Sequence, residues 1–541
     1  MITISCLCGA ARQSLPIHPP QLAAWQPVIT FCHCDTCRHL TGLLCTSYIP
    51  FPSSSTNDDD NNTPSLVGLR RYSPTKHSSR YFCATCGCHV FRSIRDNDDE
   101  NNGSQRWEVA TGVVIDSPPI SLSSFSSVDS VDSPTNITTT TTTNITKTKI
   151  IHQHLHVDDT LDGGLSGWLP DSPPLPLPLS QAISSGSTPQ TTAMTKNILP
   201  AACHCGRIAF NITRPTPESA LPHSNFADLL VPYCDVPMEV VRNPSRVKWW
   251  LRGGSESSSF NTWEGEGEGE AIQQNVPDAN EALTAQSQDQ SQDQSQDQDQ
   301  SQDQDQDLKQ GDKNKNNKNN NKTKGNSTND ISSYKYLAGT CACRSCRLAS
   351  GFEIQTWTFV PRCNILMRIP LPSPPLPSSS SSSSPFFSPT LTTPTPTAIP
   401  ISSSSAPIPT TPAPPAGSSS LPQESPARDH HQATIPLDFA ALPPGLLTSY
   451  RSSADAVREF CPGCGATVFW HDGDRPDLID VSVGLLRCPL GTARAESYLE
   501  WWTQRVSFSE EAKTGRSGGI ADWAETLVRS LENNMRGAKP S

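Results

Sequence analysis

The sequence predicts a mainly β protein built from two small zinc-stapled modules in tandem, and three observations predict it. A set of three cysteine motifs occurs twice, in the same order. The segments that carry these motifs are short and rich in β-branched and aromatic residues, the signature of strands. Only 34% of the residues are apolar and 6% aromatic, too little for one large core in a chain of this length.

Biased tracts of Ser, Thr, Asn, Gln and Pro separate those segments, at 53–64, 96–104, 117–148, 171–198, 253–333 and 370–434. Such tracts bury too little apolar surface to offset the entropy of ordering them, so they read as disordered insertions. The folded remainder is small and needs a staple, either disulfides or a metal. No basic and apolar leader precedes Cys6, and no apolar run approaches the roughly 18 residues of a membrane span. A cytoplasmic or nuclear chain is therefore expected, with no membrane partner. Thiols stay reduced there, and closely spaced cysteines are read as metal ligands; the sequons at Asn136 and Asn144 then carry no weight. The net charge of −12 sits partly in the Ser-Gln-Asp-Gln repeat at 286–307, followed by a lysine-dotted stretch from Lys309 to Lys324. No basic stripe falls on the folded segments, which argues against a nucleic-acid surface.

The first motif set opens with Cys6-Leu7-Cys8-Gly9. Cys32-His33-Cys34-Asp35-Thr36-Cys37-Arg38 follows, with Gly42 after it, and Arg80-Tyr81-Phe82-Cys83-Ala84-Thr85-Cys86-Gly87 with Val90-Phe91 closes the set. The second reads Cys203-His204-Cys205-Gly206, then Cys341-Ala342-Cys343-Arg344-Ser345-Cys346-Arg347 with Gly351. It closes with Arg458-Glu459-Phe460-Cys461-Pro462-Gly463-Cys464-Gly465 and Val468-Phe469. The flanks match too: Tyr72-Ser73 against Tyr450-Arg451-Ser452, and Val109-Ala110-Thr111-Gly112 against Val481-Ser482-Val483-Gly484. Three motifs in one order with matching flanks define an internal repeat. The expected layout is a first module at 1–170, a linker at 171–199, a second module at 200–510 and a helix with tail at 511–541.

Trp107 to Ile115 and Lys149 to Val157 are predicted strands. Gly87 and Gly465 fall where a metal knuckle turns sharply, so positive φ is expected at both. One amphipathic helix is predicted near the C-terminus, capped by Asp522 with Glu525 three residues on. Trp523, Leu527, Val528 and Leu531 share its apolar face.

Structural zinc takes four ligands, whereas catalytic zinc takes about three from the protein and keeps one position open. Seven motif cysteines per module divide as four plus three. Cys-x-x-Cys supplies one ligand pair, and Cys-x-Cys on one face of an extended segment supplies another. Cys6, Cys8, Cys83 and Cys86 are thus assigned to one closed zinc, and Cys203, Cys205, Cys461 and Cys464 to another. The triplets Cys32/Cys34/Cys37 and Cys341/Cys343/Cys346 either hold zinc with a vacancy or are closed by a fourth ligand; Cys45 and Cys88 are the nearest candidates for one. Cys45, Cys88, Cys234, Cys363 and Cys488 otherwise read as small buried apolar residues. His33 and His89 adjoin ligands and could orient them from behind. Arg38 and Arg347 could offset thiolate charge, grip a substrate carboxylate, or simply lie on the surface. His152, His154 and His156 alternate along a strand and are read as an exposed strand face, with metal binding the lesser reading.

These motifs in this order resemble the glutathione-dependent formaldehyde-activating enzyme (GFA) family, also called the centromere protein V family, across both modules with the biased tracts removed. The resemblance implies a β-tent fold of short antiparallel sheets, with two zincs per module, one structural and one at the active site. It also implies carbon–sulfur lyase chemistry, the reversible combination of glutathione with formaldehyde. Carried over by position, the two triplets would hold catalytic zinc. A small-molecule thiol or its adduct is then the partner, with glutathione as co-substrate. The segment His152 to His156, with Asp162-Gly163-Gly164-Leu165 and Trp168-Leu169-Pro170, resembles the end of a family module. The second triplet carries Ala342, Arg344 and Ser345 where the first has His33, Asp35 and Thr36, so the second module is expected to be the degenerate copy. The competing expectation is a non-catalytic zinc-stabilised scaffold or partner-binding protein.

Overall fold

Alternation of apolar and polar residues decides which face of each strand goes inward. Ile2 and Ile4 are fully buried on either side of Thr3, and Phe359 packs inward from a strand that is buried along its whole length. The computed structural model describes residues 1–17, 28–51, 63–95, 105–118, 150–174, 197–224, 229, 248–253, 333–370 and 432–538. Most of the biased tracts, and Cys234, lie outside the described residues; Cys45, Cys88 and Cys488 are buried as expected, whereas Cys363 is exposed. The chain divides into one unit at Met1–Gly253 with Ile331–Ser541 and another at Gly254–Asp330; the latter also lies outside them.

The N-terminal half holds β1 (Ile2–Ile4), β2 (Gln13–Leu15), β3 (Val28–Cys32), helix α1 (Asp35–Thr41), β4 (Thr46–Pro50) and β5 (Leu69–Thr75). Then come β6 (Ser78–Cys83), β7 (His89–Arg95), β8 (Gln105–Ala110), β9 (Val114–Asp116) and β10 (Ile151–Leu155). One sheet runs β2-β1-β9 and a second β10-β3-β4-β8-β7-β6-β5. All pairings are antiparallel except β10 with β3. The predicted strand at 107–115 is thus two strands separated by a 3-10 turn at Thr111–Val113. The one predicted at 149–157 is shorter, because His156 takes positive φ and ends it.

The C-terminal half begins with β11 (Ile198–Ala202), β12 (Ala209–Thr213), β13 (Leu251–Arg252) and β14 (Lys335–Cys341). It continues through helix α2 (Arg344–Ser350), β15 (Gln355–Pro361), β16 (Ile365–Pro370), β17 (Gln432–Pro436) and β18 (Thr448–Arg451). The last elements are β19 (Ala456–Phe460), β20 (Thr467–Asp472), β21 (Leu478–Ser482), β22 (Leu499–Trp501) and helix α3 (Gly519–Gly537). Its sheets run β11-β12-β16-β17 and β13-β14-β15-β21-β20-β19-β18, with β22 parallel to β14. Mainly β architecture with antiparallel sheets and a C-terminal helix is therefore as expected. Asp522 is not the cap of that helix: Gly518 precedes it, and Asp522 sits in the first turn. There it complements the positive helix end while pairing with Lys513.

The two halves interlock reciprocally. Gly112 N donates to Gly351 O at 2.9 Å, and Gly484 N donates to Gly42 O at 3.0 Å. Leu7 N donates to Leu348 O at 3.0 Å, and His204 N to His39 O at 2.9 Å. Gly87 and Gly465 have φ of 76° and 80°. A Cβ on Gly87 would meet Phe460 Cγ at 2.6 Å, and one on Gly465 would meet Phe82 Cγ at 2.5 Å. Each glycine thus serves twice, as the turn of its own knuckle and as the floor for a phenylalanine of the other half.

Candidate metal centres

Among the described residues, two groups of four cysteines and two of three come together. Cys6, Cys8, Cys83 and Cys86 form one, and Cys203, Cys205, Cys461 and Cys464 another, with all sulfurs of a group within 4.8 Å of one another. Cys6–Cys8 and Cys8–Cys83 are 3.5 Å apart, as are Cys203–Cys205 and Cys205–Cys461; Cys203–Cys461 is 3.7 Å. Zn–S bonds of about 2.3 Å in a tetrahedron put sulfurs about 3.8 Å apart, so both groups fit zinc. Each is also primed for negative charge: Ala11 N donates to Cys6 Sγ at 3.4 Å, and Ile208 N, five residues beyond Cys203, donates to Cys203 Sγ at 3.3 Å.

The triplets sit where β3 runs into α1 and where β14 runs into α2. Cys34 and Cys343 are the residues just before these helices, and their sulfurs accept from Cys37 N at 3.3 Å and Cys346 N at 3.2 Å. A cysteine thus takes the place of a serine or aspartate cap, and the helix start draws charge onto its sulfur. Cys32 and Cys34 sulfurs are 3.4 Å apart. Among the described residues no fourth ligand joins either triplet. Cys45 is buried with its sulfur 3.9 Å from His33 Nε2, and Cys88 faces Cys6 and Cys83 rather than a triplet. Burial pushes both thiols well above their ordinary value.

Arginines missed by the sequence reading touch these sulfurs. Arg80 on β6 donates to Cys37 Sγ at 3.5 Å, and Arg458 on β19 to Cys346 Sγ at 3.4 Å. Both guanidinium groups are buried. Hydrogen bonds from Cys341 and Cys343, then the Arg458 charge, pull Cys346 well below an ordinary thiol; Cys32, Cys34 and then Arg80 and Arg92 act likewise on Cys37. The signal was present: each arginine lies three residues before the first cysteine of its knuckle.

The expected arginines do other work. Arg347 is 1% exposed and spans the halves, with Nη1 on Gly112 O at 2.7 Å and Nη2 on Thr514 O at 3.0 Å. Arg38 is buried and paired with Asp35. Neither is a surface residue. His33 Nε2 faces His154 Nδ1 at 3.0 Å, and His154 Nε2 reaches Pro170 O at 3.0 Å. His152 lies between Asp171 and Trp523, while His156 is exposed and paired with Asp159. The three histidines do not converge, and they do not form the exposed strand face expected of them: the His152 side chain is 3% exposed, held between Asp171 and Trp523, and only His156 is exposed. His89 is buried against Phe82 and Phe352.

The surroundings of the triplets differ. A cavity of about 340 Å³ opens on Cys341, Cys343 and Cys346, walled by Trp357, Phe359, Trp470 and Phe508, with Arg458, Arg475, Asp480 and Glu511 at its polar positions. Trp357 and the triplet form an apolar cluster of their own, joined by Trp470 and Phe508. In the N-terminal half, Arg80 and Arg92 lie 5.8 and 4.2 Å from the Tyr48 ring, and Arg92 pairs with Glu108. The second triplet thus lines a formed cavity.

The model of the family Glutathione-dependent formaldehyde-activating enzyme matches residues 1–119. The matched stretch carries the first four-cysteine group and the first triplet. No curated protein and no solved structure matches the chain. The cysteine clusters are compatible with the zinc of such domains, and no described helix is long and apolar enough to cross a membrane.

Proposed function

We propose that the chain holds two tandem zinc modules of the GFA kind, and that it is a carbon–sulfur lyase-type enzyme acting on a thiol adduct. The observation that carries this reading is the cavity opening directly on the three-cysteine cluster of the second module. Three thiolates leave one tetrahedral position for a ligand from outside, whereas the four-cysteine groups are complete. A zinc so held supplies a Lewis-acid position that lowers the pKa of an incoming thiol.

The chain does the rest. Arg458, through its bond to Cys346 Sγ, offsets the charge of the cluster and fixes the orientation of that sulfur. Trp357, Trp470 and Phe508 exclude water from the space in front of it. The Arg475–Asp480 pair, at 2.8 Å, closes the far wall. In the forward direction a thiolate sulfur pair forms the C–S bond to an aldehyde carbon. The carbonyl π pair goes to oxygen, which takes up the proton the thiol gave off. The reverse breaks the same bond.

The test is cobalt substitution of the full chain, followed by addition of a thiol. A change in the cobalt absorption that disappears in Cys343→Ser supports the open site. Cobalt bands indifferent to thiol would make the triplets structural and leave a scaffold.

A further inference from the structure

The N-terminal and C-terminal triplets can be compared position by position, because the strands around them share one register. Arg80 pairs with Arg92, which pairs with Glu108; Arg458 pairs with Trp470, which pairs with Asp480. Trp470 therefore stands where the first site has Arg92. A second exchange lies on the other side of the sulfurs. Leu155 pairs with Cys32 and Ser507 bridges Cys341. The next residue is His156 in one half and Phe508 in the other, with φ of 56° and 54°, each opening a 3-10 turn. Left-handed backbone is costly for a bulky side chain. Phe508 nevertheless adopts it and packs on the cysteine cluster.

Charge does not offset the aromatic walls of the second site. Among the described residues lining the second cavity, Arg475 pairs with Asp480 and Arg458 faces the sulfurs, while Glu511 Oε2 accepts from Arg344 N at 2.9 Å. With three thiolates around a divalent ion, no positive charge is left over for a ligand carboxylate. The first triplet has the same balance, Arg80 on Cys37 and Arg92 paired with Glu108, so what separates the two sites is the aromatic wall.

We infer that the second site takes a thiol bearing an apolar or aromatic group and discriminates against a thiol with carboxylates, such as glutathione. This rests on the open-site reading above. The aromatic walls reward burial of a ring, and a carboxylate in the same space would be desolvated without a partner.

The experiment titrates the full-length cobalt-substituted protein with benzyl mercaptan and with glutathione, reading the absorption change that Cys343→Ser abolishes and Cys34→Ser leaves. Benzyl mercaptan is expected to bind at least about tenfold more tightly than glutathione. In Trp470→Arg, which installs the side chain the other half carries on this strand, the preference should fall to within about threefold. Phe508→His, which installs the side chain the other half carries at this position, should narrow it in the same sense. Equal or tighter binding of glutathione at the Cys343-dependent metal would overturn the inference and leave the open site standing. No response to either thiol at that metal would overturn both.

Discussion

The two four-cysteine groups are near copies of each other, whereas the two triplets share their sulfurs, a helix start and one arginine but not their walls. Around the four-cysteine groups even the backbone donor, five residues after the first cysteine, is the same. Around the triplets one arginine is kept, Arg80 or Arg458, and the facing side chain changes from Arg92 to Trp470. A carboxylate–arginine pair survives in both, but its arginine comes from β7 in one half and from the turn after β20 in the other. A closed metal site constrains everything within reach of it. An open one constrains its ligands and leaves the walls free to follow the substrate.

The comparison is broken most forcefully at the closed sites. Cys86→Ser and Cys464→Ser should each remove one zinc and cost at least about 3 kcal/mol in urea unfolding, since metal-binding free energy there is folding free energy. Cys34→Ser and Cys343→Ser should also lose one zinc each but cost clearly less. Equal costs for the two kinds of site would erase the distinction. Acid should strip zinc from all four, because falling pH protonates the thiolates that bind it.

Next in size are the knuckle glycines. Gly87→Ala and Gly465→Ala should each cost about 1–3 kcal/mol, from positive φ and from contact with the phenylalanine of the other half. The two should agree closely, since their surroundings are reciprocal. Arg80→Lys and Arg458→Lys come third: each should weaken metal retention at its own triplet about tenfold or more in a chelator competition, with the four-cysteine sites unaffected. The smallest effect is expected from Cys45→Ala, which should keep the full zinc content and cost roughly 1 kcal/mol. Loss of a zinc in this variant would show that Cys45 closes the first triplet.

Much of this was legible in the cysteine spacing. Cys-x-Cys and Cys-x-x-Cys place ligands in pairs through local geometry, the division of seven cysteines into four and three joined the distant pairs, and positive φ at Gly87 and Gly465 followed from the knuckle itself. What the sequence hid depends on pairing across strands or across halves. Arg458 meets Cys346 from a strand 112 residues away, and Arg347, which adjoins a ligand in sequence, turns away from it to bind Gly112 of the other half. The residues between Cys341, Cys343 and Cys346 say nothing of what surrounds the sulfurs. The walls of that site come from β15, β20 and the segment after β22.

The most direct measurement is zinc per chain by native mass spectrometry, in the wild type and in Cys34→Ser and Cys343→Ser. Two filled four-cysteine groups and two filled triplets predict four zincs, falling to three in either variant. Two zincs in all three proteins would contradict the account, because both triplets would then be empty of metal.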